Sequence, residues 1–227
     1  MNLSKEILIF IGPPGAGKGT LAQLCSSRMG WIRCSTGDLC RKNVQEKTEF
    51  GAQIDLAIKS GKLISDSLIL GMVDTWLSEH SQNNHKIILD GFPRTPFQAE
   101  QLDVLLRKAE FAHFAVSVVR MELDNEVALE RLMSRVICGN GECCAVYSTK
   151  DSAVVDSCFE CAAPLVRRSD DNIEQVIRDR LATYHVHAHN LVQHYHGSGR
   201  VVRELNVAQP VEGVFEQFIR LMDMKIS

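Results

Sequence analysis

An α/β domain wrapped on a central parallel sheet is the fold the sequence predicts, on three observations. The segment Ile7-Leu8-Ile9-Phe10-Ile11 is a short continuous apolar run, the pattern of a strand buried on both faces. Similar runs recur at 31–34, 87–89, 114–119 and 201–205, with helix-period stretches between them. A glycine-rich stretch, Gly12-Pro13-Pro14-Gly15-Ala16-Gly17-Lys18-Gly19-Thr20, follows the first run directly.

That stretch reads as a phosphate-binding loop between a buried strand and a helix start. Gly12, Gly15, Gly17 and Gly19 let the backbone curl so that N–H groups converge on phosphate oxygens. Lys18 adds a point charge, and the helix that begins there adds its positive end. The loop departs from G-x-x-x-x-G-K-[ST], because Gly19 follows Lys18 and the hydroxyl comes at Thr20. A nucleoside polyphosphate is the ligand class this predicts.

The elements after the loop follow in order. The run at 31–34 is the second strand, and Ser35-Thr36-Gly37-Asp38-Leu39-Cys40-Arg41 opens a helix whose start Ser35 or Thr36 can cap. Residues 35–67 lack a strand pattern and predict a small helical lobe. The strand at 87–89 ends on Asp90-Gly91-Phe92-Pro93-Arg94-Thr95. A carboxylate at that end of a central strand faces the phosphate loop in open sheets, so Asp90 can orient Mg²⁺ or its waters. Arg94 projects into the same crevice as a phosphate clamp. Arg131 and Arg135, four apart, are placed on one helix face. Residues 136–169, rich in Cys, Gly and Ser, break the sheet–helix rhythm and predict a separate flap. A long helix over 173–196 carries Ile173, Ile177, Leu181, Tyr184, Ala188, Leu191 and Tyr195 at three- and four-residue steps. The last helix has Val214, Phe215, Phe218, Ile219 and Met222 on one face. These stripes are core.

Composition sets the outer bounds. A chain of 227 residues with 45% hydrophobic residues supports one domain with inserted lobes. A net charge of −3 gives no bulk attraction to nucleic acid or anionic membrane. No apolar run approaches a membrane span, and the N-terminus does not read as a secretory signal. A cytoplasmic setting is expected, where cysteines are not a disulfide framework.

The motifs together resemble the adenylate kinases, of the long-lid bacterial type, over nearly the whole chain. The phosphate loop matches, including its Gly-Thr after Lys. Ser-Thr-Gly-Asp-Leu-Cys-Arg resembles the segment that holds AMP, and Gly-Lys-Leu-Ile-Ser-Asp at 61–66 resembles a second stretch of the same lobe. Asp-Gly-Phe-Pro-Arg-Thr followed by Gln98 resembles the family's most specific signature. Segments 131–135 and 167–171 resemble the two lid hinges, with Val136 where many members carry another arginine.

The resemblance implies a P-loop three-layer α/β/α fold with core segments 1–34, 68–130 and 170–227. It implies an AMP-binding lobe at 35–67 and a Cys-rich lid at 131–169. The reaction implied is ATP + AMP ⇌ 2 ADP with Mg²⁺, in a monomer, without nucleic-acid or membrane partners. ATP would sit on Gly12, Gly15, Ala16, Gly17, Lys18, Gly19 and Thr20, with Arg131 on its adenine. AMP would contact Thr36, Gly37, Arg41, Lys62, Leu63, Ile64, Gly91, Arg94 and Gln98, with Arg168 and Arg180 beyond. The catalytic set would be Lys18, Asp90, Arg94, Arg131, Arg135, Arg168 and Arg180. Arg178 is the alternative to Arg180, since the spacing from Asp171 is one residue longer than usual. Thr36 and Thr95 favour AMP over CMP or UMP as acceptor. GTP remains an alternative donor, and a catalytically silent nucleotide-binding or zinc-scaffold protein is the rival from another class.

Five of the eight cysteines fall within 138–161. Cys158-Phe159-Glu160-Cys161 is a pair suited to a zinc knuckle, with Cys138 and Cys143 as the partner pair. Their four-residue spacer departs from the family's Cys-x-x-Cys, and Cys144 is the alternative to Cys143. A closed four-thiolate site would make Zn²⁺ structural. A metal-free thiol cluster is the competing reading. Cys25, Cys34 and Cys40 read as buried small hydrophobes. His185, His187, His189, His194 and His196 are spread around their helix and read as solvated surface.

Overall fold

A computed structural model describes residues 5–48, 51–59, 64–82, 86–141, 143, 145–151 and 156–223. Its centre is a five-stranded sheet of β1 (Glu6–Ile11), β2 (Ile32–Ser35), β3 (Lys86–Asp90), β4 (Ala115–Glu122) and β8 (Val202–Asn206). The order is β2-β3-β1-β4-β8, with every pair parallel. All five predicted strands are present within two or three residues at their ends. From β1 the chain crosses to the edge strand β2, returns to β3 beside β1 and then crosses to β4 and β8 on the other side, so a crevice opens at the strand ends beside β1.

Side-chain alternation along β1 divides the core. Ile7, Ile9 and Ile11 face one layer, packing with Val73, Leu77, Leu102, Leu191 and Tyr195. Leu8 and Phe10 face the other, with Leu21, Cys25, Phe215 and Phe218. The helices that supply these residues include α1 (Lys18–Met29), α4 (Asp66–His80), α5 (Pro96–Leu106), α7 (Glu174–Gly197) and α8 (Val211–Leu221). Burying all of β1 from Ile7 to Ile11 explains why its sequence runs apolar without alternation. No helix among the described residues is long and apolar enough to cross a membrane.

Two regions stand apart from the sheet. After β2 the chain forms α2 (Thr36–Gln45) and α3 (Gly51–Lys59). The Ser35 hydroxyl accepts from the Asp38 N–H and caps α2. After α6 (Asn125–Met133) the chain forms a small antiparallel sheet of β5 (Arg135–Cys138), β6 (Val146–Ser148) and β7 (Leu165–Val166), ordered β6-β5-β7.

Four expectations change. Ile173, placed on the core stripe of the long helix, is instead exposed at its N-cap. Arg131 and Arg135 do not share a helix. Ser134 closes α6, donating to the carbonyls of Glu130 and Arg131 at 3.0 and 3.2 Å, and the β-branched Val136-Ile137 that follows runs as strand. His194 is not solvated surface: its Nε2 lies 2.8 Å from Asp103 Oδ2, with Arg200 2.6 Å from the other oxygen. His187 lines the central cleft. His185, His189 and His196 are exposed.

Candidate active site

The cleft at the strand ends encloses about 500 Å³. It is walled by the phosphate loop, the start of α2, the turn after β3, the first part of β6 and the middle of α7. Its chemistry follows from how each wall is held.

The loop is shaped by glycine. Gly15 has φ +84, and a Cβ there would lie 2.8 Å from the Ala128 carbonyl oxygen. Gly17 caps α1 in the left-handed region and has no side chain to satisfy the helix's first N–H groups. Those donors have no earlier helical carbonyl, so they point into the cleft as an anion cradle. The Lys18 ammonium folds back over the loop, donating to the carbonyls of Gly12 at 2.7 Å and Pro13 at 2.9 Å. Asp90 ends β3 beside it: a Cβ on Gly19 would sit 3.2 Å from Asp90 Oδ2.

The acceptor side is built by the turn Asp90-Gly91-Phe92-Pro93-Arg94, which contains a cis Phe92–Pro93 bond. Thr36 Oγ1 donates to the Gly91 carbonyl at 3.0 Å, and Arg94 Nε donates to the same oxygen at 2.7 Å. Thr95 caps α5 by accepting from the Gln98 N–H. The Gln98 side chain, 2% exposed, accepts from the Arg94 N–H and donates to Asp66. Asp38 pairs with both Arg33 and Arg41, and these arginines hold its carboxyl below the usual range despite burial. Thr36, Gly37, Arg41, Ile64, Gly91, Arg94 and Gln98 therefore share one wall. Lys62 and Leu63 lie outside the described residues.

The remaining cations come from the far side. Arg135 and Arg180 both bind Asp171, which is fully buried, at 2.6 and 2.8 Å. Asp170 adds a second carboxylate 3.1 Å from Arg180. Arg178 instead pairs with Glu174 and Glu126 on the surface, so of the two alternatives Arg180 is the one in the cleft. Arg168 reaches in beside Arg135, and its buried Nε has no hydrogen-bond partner among the described residues. Arg131 is not brought into the cleft lining; its guanidinium donates to the Val207 carbonyl at 2.8 Å. Ala16 is buried beneath the loop.

These cations repel one another and lack enough anions. Desolvation lowers Lys18 to about 8, with Asp90 opposing and Arg94, Arg180 and Arg135 adding to the shift. Desolvation followed by Arg135 and Arg41 lowers Arg168 to about 9. Arg94 is lowered by burial, then by Arg180. Such a site is tuned for a polyanion that restores the charge balance.

A second cluster lies in the small sheet. The sulfurs of Cys138, Cys143, Cys158 and Cys161 all fall within 4.8 Å of one another. Cys138 and Cys161 are 3.3 Å apart, and Cys143 and Cys158 are 3.7 Å apart. A tetrahedral ion with metal–sulfur bonds of about 2.3 Å places sulfurs about 3.8 Å apart, so the four thiols fit a metal ion. Cys144 is outside the described residues. The Tyr147 hydroxyl accepts from the Phe159 N–H at 3.2 Å and lies 3.3 Å from Cys158 Sγ. That hydroxyl pulls the Cys158 thiol down, while desolvation raises Cys138. Tyr147 also lines the cleft. Cys25, Cys34 and Cys40 are buried, as expected, and burial raises the first two to about 12.

Sequence reasoning assigned no role to Arg33, Tyr147 or the Asp171 clamp, and it carried Asp66 only as the end of the 61–66 motif. Arg33 meets Asp38 nearby in the chain, whereas Asp66 with Gln98 and Asp171 with Arg135 join segments more than thirty residues apart.

The family model described as adenylate kinase matches residues 10–200. The chain belongs to the adenylate kinase family. It is 32% identical over 218 residues to the adenylate kinase of Borrelia turicatae, covering 95% of this chain and 98% of that one. It is 35% identical to the adenylate kinase of Geobacter sulfurreducens over 95% of this chain and 97% of the relative. A third relative, the adenylate kinase of a Synechococcus strain, is 36% identical over 92% of this chain and 94% of its own. Adenylate-kinase-type phosphoryl transfer is thus the chemistry of this enzyme. Such transfer needs positioning and cations around the moving group, and little covalent chemistry from the protein.

Proposed function

We propose that this chain is an adenylate kinase of the long-lid bacterial type that catalyses ATP + AMP ⇌ 2 ADP. The observation that carries the reading is the ring of underneutralised cations, Lys18, Arg94 and Arg168, between a phosphate loop and a second nucleotide wall. Segments 35–67 and 131–169 serve as the AMP lobe and the lid on the core formed by 1–34, 68–130 and 170–227.

The donor triphosphate lies on the N–H groups of Gly15, Gly17, Lys18, Gly19 and Thr20, with Gly12 and Ala16 shaping the loop. Arg131 is assigned to its base side. AMP sits against Thr36, Gly37, Arg41, Lys62, Leu63, Ile64 and Gly91, with its phosphate on Arg94 and its purine on Gln98. Lys18 leaves the loop carbonyls to follow the transferring phosphoryl group. Arg135, Arg168 and Arg180 close on the developing charge, held in register by Asp170 and Asp171. Asp90 and Thr20 are the residues suited to hold Mg²⁺, which when bound offsets charge on the bridging phosphate oxygens. Closing β6 over the cleft excludes water, the competing acceptor.

The four cysteines are assigned to a structural Zn²⁺, because four thiolates leave no open position for substrate. A reduced four-thiol cluster suits a cytoplasmic setting. Two lobes hinged on one core suit a monomer.

The test is ADP formation from Mg·ATP with AMP, CMP, UMP and GMP in turn, and from GTP with AMP. Turnover confined to ATP with AMP is expected. Equal use of CMP or UMP overturns the acceptor assignment, equal use of GTP overturns the donor assignment, and a folded enzyme inert with every pair overturns the reading.

A further inference from the structure

We propose that Asp66 determines acceptor specificity by locking the Gln98 amide in the one orientation that pairs with a 6-aminopurine. The proposal rests on the reading that Gln98 faces the acceptor base.

Gln98 is a symmetric-looking reader: its amide offers a donor end and an acceptor end of the same shape. Left free, it can turn about its last bond and present either order. Adenine shows an acceptor at N1 and a donor at its 6-amino group. A 6-oxopurine shows the reverse, a donor at N1 and an acceptor at O6. A freely turning amide would serve both.

The surroundings of Gln98 forbid that turn. Its Oε1 accepts from the backbone N–H of Arg94 at 2.7 Å. Its Nε2 donates to Asp66 Oδ1 at 2.6 Å. A backbone N–H can only donate and a carboxylate can only accept, so both neighbours are single-valued. Turning the amide sets donor against donor and acceptor against acceptor. It also loses the charge-assisted bond, the stronger of the two. Gln98 is 2% exposed, so no bulk water stands by to replace those partners. One N–H and one lone pair remain for the base in one fixed order, which pairs with adenine when N1 faces Nε2 and the 6-amino group faces Oε1. Arg94 and Arg41, on the same wall, fix the acceptor phosphate, so the base cannot simply be presented the other way round.

Asp66 stands behind this contact. It does not line the cleft, and it lies 32 residues from Gln98 in sequence. It is also the first residue of α4, where a carboxylate suits the helix N-terminus. That local role predicts stability effects alone, and the test must separate the two. Asp66 is a positioning residue in this account and touches no substrate.

The experiment compares kcat/KM for AMP and for inosine monophosphate, with Mg·ATP as donor, in the wild type, Asp66→Ala, Asp66→Asn and Gln98→Ala. Melting temperatures are measured alongside. In Asp66→Ala the AMP-to-IMP ratio is expected to fall about tenfold or more, chiefly by a gain with IMP. Asp66→Asn, whose own amide can turn, is expected to fall between the two and serves as the test if the alanine variant does not fold. An unchanged ratio in the Asp66 variants, or a parallel loss with both acceptors, overturns the lock and leaves a helix-start role. If Gln98→Ala keeps the wild-type ratio, or the wild type uses both acceptors equally, the reading of Gln98 itself falls. Loss of the ratio in Gln98→Ala with its retention in Asp66→Ala refutes the lock alone.

Discussion

Replacing Lys18 by Met should abolish turnover without costing stability. The lysine is the only cation on the phosphate loop, so its loss should lower kcat by at least ~10²-fold. Its effect on the unliganded fold runs the other way. Burial among Arg94, Arg135 and Arg180 lowers Lys18 from 10.5 to about 8, which corresponds to about 3 kcal/mol held against the charged form. The ammonium borders a cleft that admits water, which reduces this to about 1–2 kcal/mol. The variant also loses two bonds to the Gly12 and Pro13 carbonyls, worth about 1 kcal/mol net since water can reach them. Lys18→Met should therefore equal the wild type at pH 7 or exceed it by up to about 1 kcal/mol. The pH dependence fixes the cause. Below pH 8 both folded and unfolded wild type carry the proton, and the penalty is fully present. Between pH 8 and 10.5 the folded state gives up its proton first, so wild-type stability rises relative to the variant. Denaturant unfolding of both proteins at pH 7, 8, 9 and 10, at matched metal loading, reads this difference directly. A variant about 2 kcal/mol less stable at pH 7, with a gap that stays flat to pH 10, would refute the reasoning.

Other perturbations follow from the same geometry. Gly15→Ala imposes a left-handed conformation on an L-residue and drives a Cβ to 2.8 Å from the Ala128 carbonyl, so a loss of about 2–4 kcal/mol is expected in denaturant unfolding, and an unchanged midpoint would contradict it. Cys158→Ser should remove stoichiometric zinc by elemental analysis and expose residues 135–166 to protease before the core; a wild type that carries no zinc would end that assignment. Tyr147→Phe deletes the hydroxyl beside Cys158 Sγ and should weaken zinc affinity about 10-fold in chelator competition, with fold and thiol count intact; unchanged affinity would make the contact incidental.

Much of the sheet was legible because burial on both faces imposes a pattern that survives in sequence. The runs at Ile7–Ile11 and Ile87–Leu89 could not be solvated without exposing a whole strand. The phosphate loop was legible for a different reason: Gly15 and Gly17 occupy positive φ, so composition reports backbone shape. The thiol cluster in the small sheet was legible from the Cys158–Cys161 spacing and from the crowding of cysteines into 138–161. What failed was direction. Arg131 and Arg135 are four apart, but Ser134 ends the helix between them, and the two guanidiniums go to Val207 and Asp171. His194 was read as solvated because helical spacing says nothing of Asp103, 91 residues away, that receives it. Arg33 carried no signal beyond its place in the second strand, and Asp66 stood at the end of the 61–66 motif with nothing in sequence to point to its partner Gln98, 32 residues away.

The most direct test of the account follows the transferred phosphoryl group itself. Phosphorus NMR of a mixture of Mg·ATP, AMP and enzyme reports every phosphate species at once. Direct transfer in a cleft closed to water predicts two ADP formed for each ATP consumed, with inorganic phosphate at background. Inorganic phosphate rising in step with ATP loss, or ADP formed one for one with AMP unconsumed, would contradict it and make the chain a nucleotide hydrolase on an adenylate kinase fold.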